Sequence, residues 1–393
     1  MTYKALIIGG GIAGPVTAMA LRQAGMDPVV YEAYPRDANG VGAFLTLAVN
    51  GLDALRALDL HTLVRDKGFD TPTIALLTGG GRRLAEFPTG ALPDGTVTQT
   101  IMRATLYGAL RDEARCRGVP VEHGKRLVDA ERTATGVVAR FADGSEAEGD
   151  LLIGADGLRS VTRGLIDPAA PEARYVPLLN TGGIARGVAV DAEPGVFQMI
   201  FGRRCFFAYI LHPDGAVWWF ANPPQAKELS RAELAAISPE AWRARLLDLF
   251  GRDATPAVRL IEATDDIAAP WSTYDFPSVP TWHRDRMIII GDAAHAMSPA
   301  AGQGAAMAME DALVLAKCLR DLESIDAAFA GYERLRRERV ERTVAQGKRN
   351  GDGKAPGLLL RLLLPLVFKL KRDTEDLTWM WEHHIDWESP VGV

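Results

Sequence analysis

The sequence predicts an α/β fold in which a Rossmann-like domain carries an inserted mixed β-sheet domain and is followed by a C-terminal helical segment. Three observations lead to this prediction. A strand, a glycine-rich turn and a helix open the chain; short β-type runs separated by turn residues recur in two stretches; and helical spacing prevails after a buried strand at 286–291. At about 150 residues per domain, the chain is long enough for two to three domains.

The domain boundaries follow from the positions where the pattern changes. Helices and buried strands resume after each β-rich stretch, so we expect the first domain to be interrupted by the second. The Rossmann-like domain is predicted to comprise 1–70, 98–173 and 277–330, the inserted β-sheet domain 71–97 and 174–276, and the C-terminal helical region 331–393.

The composition excludes several classes of protein. Hydrophobic residues make up 48% of the chain and charged residues 24%, which is typical of a globular protein and not of a disordered one. The net charge of −6 has the wrong sign for a protein that neutralises phosphates, so no nucleic-acid partner is expected. Cys116, Cys205 and Cys318 are far apart and form no C-x-x-C pair, which fits a reducing compartment and predicts no redox dithiol.

Neither end of the sequence shows a membrane signal. The opening residues MTYKALIIGGG contain an apolar run too short for a signal peptide. The apolar stretch 358–370 is about 13 residues long, short of the roughly 20 that span a bilayer, and we interpret it as a docking helix. We therefore expect a cytoplasmic protein without a membrane span.

The first motif is G-x-G-x-x-G at Gly9, Gly11 and Gly14, directly after a strand and at the start of a helix, with Glu32 at the end of the next strand. Small residues let the backbone approach a pyrophosphate, and the helix N-terminus offers N–H donors to it. An acidic residue at this spacing accepts hydrogen bonds from ribose hydroxyls, which indicates NAD or FAD rather than a 2′-phosphorylated nucleotide. The alternative is a glycine turn that serves packing alone.

Two further motifs follow strands of the first domain. GADGLRS places Asp156 and Gly157 where a strand gives way to a helix, at the edge of an α/β sheet where ligands gather; read alone, it is equally an ordinary Asp-Gly turn. GDAAHAMSPAAGQGAAMAMEDA places Asp292 after the strand at 286–291, where it suits a polyol hydroxyl. Its residues 302–306 begin a helix whose N–H groups suit an electron-rich ring edge. The alternative for this motif is a tightly packed strand-to-helix turn.

The three motifs in this order resemble the single-component FAD-dependent aromatic monooxygenases, the para-hydroxybenzoate hydroxylase-like flavoproteins, including their salicylate hydroxylase and tetracycline-inactivating branch. The resemblance covers almost the whole chain. Residues 40–51, GVGAFLTLAVNG, are similar to the stretch of that family that flanks the flavin, and Arg103 in MRATL is similar to an arginine that reaches FAD.

The resemblance implies that FAD is the cofactor and that the Rossmann-like domain binds it, while the inserted domain binds substrate. The pyrophosphate would lie on the first glycine turn, the ribose on Glu32, and the phosphate or ribityl region near Arg103 and Asp292. Asp156 is implicated in contacts to both FAD and NAD(P)H. The implied FAD-binding residues are Gly9, Gly11, Ile12, Ala13, Gly14, Glu32, Arg103, Asp156, Asp292, Pro299, Gly302, Gln303, Gly304, Ala305 and Ala306.

The resemblance also implies a reaction: NADPH or NADH reduces FAD, O2 adds to give a C4a-hydroperoxyflavin, and one oxygen atom hydroxylates an aromatic or polycyclic small molecule, such as a phenol, an indole or an antibiotic. The chain has no second G-x-G-x-x-G unit. That agrees with the family, in which the nicotinamide nucleotide visits a surface groove. We expect a monomer or a homodimer.

Residues that contact substrate are harder to predict, because the face to which a strand residue points cannot be read from the sequence. Aromatic walls with a few polar groups suit a flat apolar molecule. Alternatively, the aromatic residues are core packing and the arginine lies in a turn. The candidates are Gln198, Arg204, Tyr209, Trp218 and Phe220, and no catalytic residue is assigned.

Other side chains are given structural interpretations. His295 is predicted to be a turn histidine near the flavin pocket, and His383 and His384 lack a third ligand, so no metal site is predicted. The charged run 333–342 is predicted to be a solvated helix face.

Competing functions remain open at this point. A reductase of the geranylgeranyl-reductase type shares the motif order but moves a hydride to or from carbon. A flavin-dependent halogenase is disfavoured, since VWWFANPP does not satisfy the W-x-W-x-I-P signature. A non-catalytic FAD-binding protein is the alternative outside enzymes.

Overall fold

The computed structural model describes residues 2–35, 44–352 and 378–392. The strands in these ranges are β1 (Lys4–Ile8), β2 (Asp27–Glu32), β3 (Phe44–Leu47), β4 (Phe69–Asp70), β5 (Thr73–Thr78), β6 (Arg83–Pro88), β7 (Gln99–Met102), β8 (Val121–His123), β9 (Leu127–Arg132), β10 (Val137–Phe141), β11 (Glu146–Gly149), β12 (Leu151–Gly154), β13 (Arg174–Ala185), β14 (Val196–Phe201), β15 (Phe206–Leu211), β16 (Val217–Asn222), β17 (Trp271–Asp275), β18 (His283–Arg284) and β19 (Met287–Ile289). The helices are α1 (Ala13–Gln23), α2 (Val49–Arg56), α3 (His61–Arg65), α4 (Arg103–Cys116), α5 (Val161–Ile166), α6 (Arg231–Ala235), α7 (Pro239–Phe250), α8 (Ala257–Glu262), α9 (Asp292–His295), α10 (Gly304–Asp321), α11 (Ile325–Asp352) and α12 (Thr378–Trp381).

The first sheet has the strand order β18-β19-β12-β1-β2-β8, and its central pairs are parallel. The apolar runs of β1 and β12 are buried throughout, because α1 packs against this sheet and so do strands of the three-stranded sheet β11-β10-β9, whose Phe141 stacks on Tyr31 of β2. In this order β2 lies on one side of β1 and β12 on the other, so the strand order reverses at β1. At such a point α/β folds bind ligands in a crevice at the carboxyl ends of the strands, here β1 and β12.

The second sheet has the order β17-β13-β16-β15-β14-β5-β6 and is antiparallel except where β14 pairs with β5. It is therefore the mixed sheet that the sequence predicts, with strands drawn from 73–88 and from 174–275. One of its faces packs against α7 and α8 through large side chains such as Trp242 and Phe250; we call this the helix-covered face.

Its opposite face, here called the aromatic face, carries Ile74, Phe197, Met199, Phe201, Phe206, Ala208, Ile210, Trp218 and Phe220. A small antiparallel sheet, β3-β7-β4, lies against this face and contacts it through Phe44 and Phe69. A further three-stranded sheet, β11-β10-β9, joins the first domain.

The predicted α/β fold class is confirmed by this architecture and by its solved neighbours. The exact domain boundaries stay a prediction. The proposed docking helix at 358–370 lies outside the described residues. Among the residues that the structure describes, no helix is both long and apolar enough to span a membrane.

Candidate functional site

In the glycine turn after β1, packing explains some of the glycines but not all of them. A Cβ on Gly9 would lie 2.3 Å from the Ala155 carbonyl oxygen, and a Cβ on Gly14 would lie 1.9 Å from the Gly9 carbonyl oxygen. Packing therefore explains these two glycines. It does not explain Gly11, whose Cβ would meet no atom within 4 Å. An open position at the start of α1 is what a closely bound phosphate requires.

Glu32 ends β2 beside this turn. Its Oε2 accepts a hydrogen bond from the Gly10 backbone N–H (2.7 Å), and its Oε1 accepts one from the Tyr34 N–H (2.9 Å). A carboxylate has about four acceptor positions, so it is fixed in place and still has lone pairs for ribose hydroxyls. The structure thus fixes Glu32 beside the glycine turn, and its contact with a ribose stays a prediction.

Asp156 has a different environment from the other candidate carboxylates. Its Oδ1 accepts from the Ser160 hydroxyl (2.5 Å) and its Oδ2 accepts from the Thr162 N–H (3.0 Å) and hydroxyl, so the side chain organises the start of α5. Burial raises the pKa of the carboxyl group, against the lowering effect of these hydrogen bonds. Its contact with FAD or NAD(P)H stays a prediction.

Asp292 is exposed at the first position of α9, immediately after Gly291. A Cβ on Gly291 would lie 3.3 Å from the Cβ of Ala13 and 3.5 Å from that of Ala308, so this turn fits between α1 and α10. The third motif and the glycine turn therefore belong to one site.

Arg103, the exposed first residue of α4, belongs to the same site. Burial raises the pKa of the Tyr107 hydroxyl, while the Arg103 charge lowers it and the Asp292 charge raises it. Both charged groups are thus within electrostatic reach of one tyrosine, at the place where the resemblance puts the phosphate and ribityl regions of FAD.

The start of α10 is shaped by a left-handed Gly302 (φ 65°) after a 3₁₀ turn at Pro299–Ala301. The side chain of Gln303 turns away from the helix end, and its Oε1 accepts from Asn50 Nδ2 of α2 (2.9 Å). A Cβ on Gly51 would lie 2.9 Å from the Cα of Ala306, so α2 packs closely on the first turn. The first N–H groups of α10 have no acceptor within the helix and are free to bind a ligand oxygen or nitrogen.

A buried ion network underlies these turns, and sequence reasoning missed it. Glu310 and Asp311 of α10 are fully buried and pair with Arg336 of α11 at 2.6 and 2.8 Å. Asp311 Oδ2 also accepts from the Gly291 N–H (2.9 Å) and lies 2.6 Å from His295 Nε2. The network therefore holds the turn that presents Asp292.

The prediction that 333–342 is a solvated helix face is wrong at Arg336, which is 1% exposed. Two adjacent acids inside the apolar stretch of α10 were the available signal, since buried carboxylates require cationic partners. Burial raises the pKa of Asp311, but His295 and Arg336 outweigh this effect and lower it. His295 is buried at the end of α9, and its Asp311 contact is structural.

The structure separates the five predicted substrate residues. Trp218 and Phe220 lie on the aromatic face. Tyr209 packs on the helix-covered face, and Gln198 is its direct cross-strand partner, so it faces the same way. Arg204 lies in the exposed turn between β14 and β15, paired with Asp248 at 2.8 Å. Strand alternation directs Tyr209 and Gln198 away from the aromatic face, and Arg204 bonds to α7 from its turn, so only Trp218 and Phe220 stay in our proposal.

The two tail histidines contact acids of the first domain. His384 Nδ1 lies 2.6 Å from Asp53 Oδ2, and His383 Nε2 lies 3.9 Å from Glu310 Oε2. Burial lowers the pKa of His383 to about 4. Across the described ranges, no cluster of three or more His, Cys, Asp or Glu side chains is arranged for a metal ion.

Known proteins resemble this chain over most of its length. The profile of the FAD binding domain family matches residues 2–347. Aurachin C monooxygenase/isomerase of Stigmatella aurantiaca is 32% identical over 356 residues, 88% of each chain, and FAD-dependent urate hydroxylase of Klebsiella pneumoniae is 30% identical over 357 residues, 89% of this chain and 90% of the relative.

Solved structures agree with these relatives. Klebsiella pneumoniae HpxO complexed with FAD and uric acid superposes with a TM-score of 0.81 at 28% identity, covering 94% of this chain and 93% of that one. A salicylate hydroxylase substrate complex gives a TM-score of 0.79 at 23% identity over 97% and 96% of the two chains, and supports the fold. The glycine turn with its open Gly11, the fixed Glu32 and the free start of α10 fit FAD, and the chain belongs to the FAD binding domain family of FAD-dependent hydroxylases and monooxygenases.

Proposed function

We propose that this protein is an FAD-dependent monooxygenase that uses NAD(P)H and O2 to hydroxylate an aromatic or polycyclic small molecule. The observation that carries the proposal is the position of β3. Phe44, at its start, contacts the aromatic face, whereas Leu47, at its end, lies beside Gly51 and Ala306 at the first turn of α10. Three residue steps of strand amount to about 10 Å, so a ring held at α10 lies next to the aromatic face.

The residues of the first domain would hold FAD. Gly9, Gly11 and Gly14 would accommodate the pyrophosphate and Glu32 the adenosine ribose. Arg103 and Asp292 would bind the phosphate and ribityl region. When bound, FAD supplies the acceptor for the nicotinamide hydride and the centre at which O2 is activated.

The start of α10 would perform an electrostatic task. Free N–H groups and the positive end of the helix dipole stabilise negative charge on a neighbouring group. Placed against the pyrimidine edge of the cofactor, the residues 302–306 would favour its anionic reduced form. The buried pairs of Glu310 and Asp311 with Arg336 keep α10 in position for that task.

The aromatic face would hold and orient the substrate. Phe197 and Phe206 form its buried floor, and the half-buried Trp218 and Phe220 lie beside Phe44 of the small sheet, where they would contact a flat molecule. Aromatic side chains stack with such molecules and exclude water from the reaction. A relative named as a urate hydroxylase and a neighbour solved with uric acid also point to an aromatic heterocycle.

NADH and NADPH oxidation by the purified protein, followed together with oxygen uptake, tests the proposal against a panel of phenols, indoles, quinolines and polycyclic antibiotics. We expect one class of compound to accelerate both reactions and to gain one oxygen atom by mass. Acceleration without oxygen uptake would indicate a reductase. FAD binding without acceleration by any compound would favour a non-catalytic flavoprotein.

A further inference from the structure

The small sheet β3-β7-β4 carries a threonine on the face that meets the aromatic face. Phe44 of β3 contacts Trp218 with ring centroids 5.7 Å apart, and Phe69 of β4 contacts the same ring at 5.4 Å. Thr46 is two residues after Phe44 and shares its face, because alternate side chains of a strand point the same way. Direct pairing of Thr46 with Thr100 and of Thr100 with Phe69 puts these three side chains in one row. The half-buried Thr46 therefore faces the same space as the aromatic side chains.

Three threonine hydroxyls are connected across this sheet. Thr71 Oγ1 lies 2.6 Å from Thr100 Oγ1, which lies 3.3 Å from Thr46 Oγ1; the second contact is the longer and weaker of the two. Thr71 and Thr100 are fully buried, whereas Thr46 is half-buried. Within the part of the chain that the structure describes, the hydroxyls of Thr71 and Thr100 have no other hydrogen-bond partner. The row of hydroxyls thus has one end inside the protein and one end at the surface of the sheet.

The buried end fixes the direction of these hydrogen bonds. Each hydroxyl has one hydrogen to donate, and a buried hydrogen without an acceptor costs free energy. Thr71 can donate only to Thr100, and Thr100 then donates to Thr46. In this direction every buried hydrogen has an acceptor, whereas in the reverse direction the hydrogen of Thr71 would have none. The hydrogen of the Thr46 hydroxyl is therefore left over, and Thr46 acts as a donor.

No side chain on the neighbouring surfaces accepts this hydrogen. Apart from Thr46 and Thr100, the same face of the described strands β3, β4 and β7 carries Phe44, Phe69 and Met102, whose side chains contain no oxygen. The side chains that form the aromatic face contain no oxygen either. Because β3 leads from the aromatic face to the first turn of α10, the hydrogen is available in the space where the proposed function puts the substrate.

We propose that the Thr46 hydroxyl donates a hydrogen bond to an acceptor oxygen of the substrate, and that Thr71 and Thr100 are positioning residues that keep this hydrogen available to it. The substrate class is an aromatic molecule that carries a carbonyl or a comparable acceptor oxygen. This inference rests on the proposed function and names a requirement that the same site places on its substrate. In a mainly apolar pocket a few polar groups fix the orientation of the ligand, so Thr46 determines which edge of the substrate faces β3.

Binding to the FAD-loaded protein tests this proposal without requiring turnover. The probes are two pairs of molecules that differ only by a carbonyl in place of a methylene group: 1-indanone with indane, and 9-fluorenone with fluorene. Their affinities are measured by equilibrium dialysis for wild type and variants. Comparing each ketone with its own hydrocarbon separates the hydrogen bond from the fit of the ring, and the two pairs differ in ring size.

Three variants locate the effect. Thr46→Val keeps the shape of the side chain without its hydroxyl, and we expect it to bind the ketones about fivefold more weakly than wild type, the size of one hydrogen bond, and the hydrocarbons equally well. Thr46→Ser is the matched control, because it retains the hydroxyl and should keep the affinity for the ketones. Thr71→Val should cause a smaller loss, about twofold, because Thr46 can then turn its hydrogen toward Thr100. A full complement of FAD shows that each variant is folded.

Several results would overturn the inference: no binding of either ketone to wild type, an affinity for the ketones that survives Thr46→Val, an equal loss of ketone and hydrocarbon binding in that variant, or a Thr46→Ser protein that behaves like Thr46→Val. The proposed function fails separately. If the probes bind as expected but no compound couples nicotinamide oxidation to oxygen uptake, the binding site stands and the monooxygenase assignment does not.

Discussion

The proposed cleft lies between the start of α10 and the aromatic face. Its two walls differ in the chemical groups that they present. The Rossmann-like wall presents mainly backbone groups and a few charged side chains, held by glycine contacts and by the buried pairs around Arg336. The wall of the second sheet presents aromatic side chains. A shared cofactor can be bound by backbone geometry that tolerates little change, whereas substrate choice depends on side chains that can vary on a stable sheet.

The largest effect is expected at Gly14. Gly14→Ala places a Cβ 1.9 Å from the Gly9 carbonyl oxygen, a clash of backbone with backbone that no side-chain movement relieves. We expect a loss of stability of more than about 3 kcal/mol and no bound FAD, measured by denaturant unfolding and flavin absorbance. A stable Gly14→Ala protein with a full complement of FAD would contradict the packing described here.

Gly11→Ala is the matched variant within the same turn. Gly11 has no positive φ and its Cβ would meet no protein atom, so the thermal midpoint should be unchanged. FAD affinity should fall by about tenfold or more, since the added methyl occupies the space of the phosphate. Equal affinity for FAD would remove the argument that Gly11 marks a ligand site.

The next effect concerns the buried charges. Among the described residues, Arg336→Leu leaves Glu310 with Arg339 and His383 and leaves Asp311 with His295, besides neutral donors. We expect a destabilisation of about 3–5 kcal/mol at pH 7. In wild type the pKa of Asp311 is lowered, so its stabilisation is present above its unfolded value and is lost as pH falls through the folded value.

The variant should show the opposite dependence on pH. Without Arg336, burial raises the pKa of these acids, and a raised folded pKa stabilises the protein as pH falls. When thermal melting is measured from pH 7 down to about 4.5, the difference in stability between the variant and wild type should therefore decrease. If this difference in stability increased as the pH falls, the two carboxylates would not be the source of the destabilisation.

A smaller effect is expected at Asp292. The side chain is exposed, so Asp292→Ala should leave the thermal midpoint of the FAD-free protein unchanged. FAD affinity should fall roughly tenfold through loss of a charged hydrogen bond to the ribityl region, as measured by titration of the FAD-free protein. Undiminished FAD content would exclude that role.

The two faces of the second sheet provide the last and smallest comparison. Trp218→Leu should raise KM for the substrate several-fold, because about 1 kcal/mol of ring stacking is lost. Tyr209→Phe, on the helix-covered face, should leave KM unchanged. If Tyr209→Phe raised KM and Trp218→Leu did not, steady-state kinetics would place the substrate on the helix-covered face, contrary to our proposal.

The difference between the walls also explains what could be predicted from the sequence. The fold class and the positions of Gly9, Glu32 and Asp292 follow from spacing, because short motifs determine local backbone geometry. The face of Tyr209 does not, since a one-residue change of register reverses every side chain. The pairing of Asp311 with Arg336 joins two helices, and no local pattern specifies it.

Thr46 was missed for a related reason. It lies within the stretch 40–51, whose resemblance to a flavin-flanking segment assigns no role to single side chains. Its partner Thr100 is 54 positions away along the chain, and Thr71 is 29 positions from Thr100. The three hydroxyls come together only when the pairing of β3, β7 and β4 is known, and no local pattern specifies that pairing.

The most direct test of the central claim is isotope incorporation from ¹⁸O₂ during NAD(P)H oxidation with the compound that the panel identifies. A monooxygenase whose substrate lies between α10 and the aromatic face should give a product that carries one ¹⁸O atom, and Trp218→Leu should lower the ratio of labelled product to nicotinamide oxidised. A product without label, formed as fast as NAD(P)H is consumed, would contradict the account.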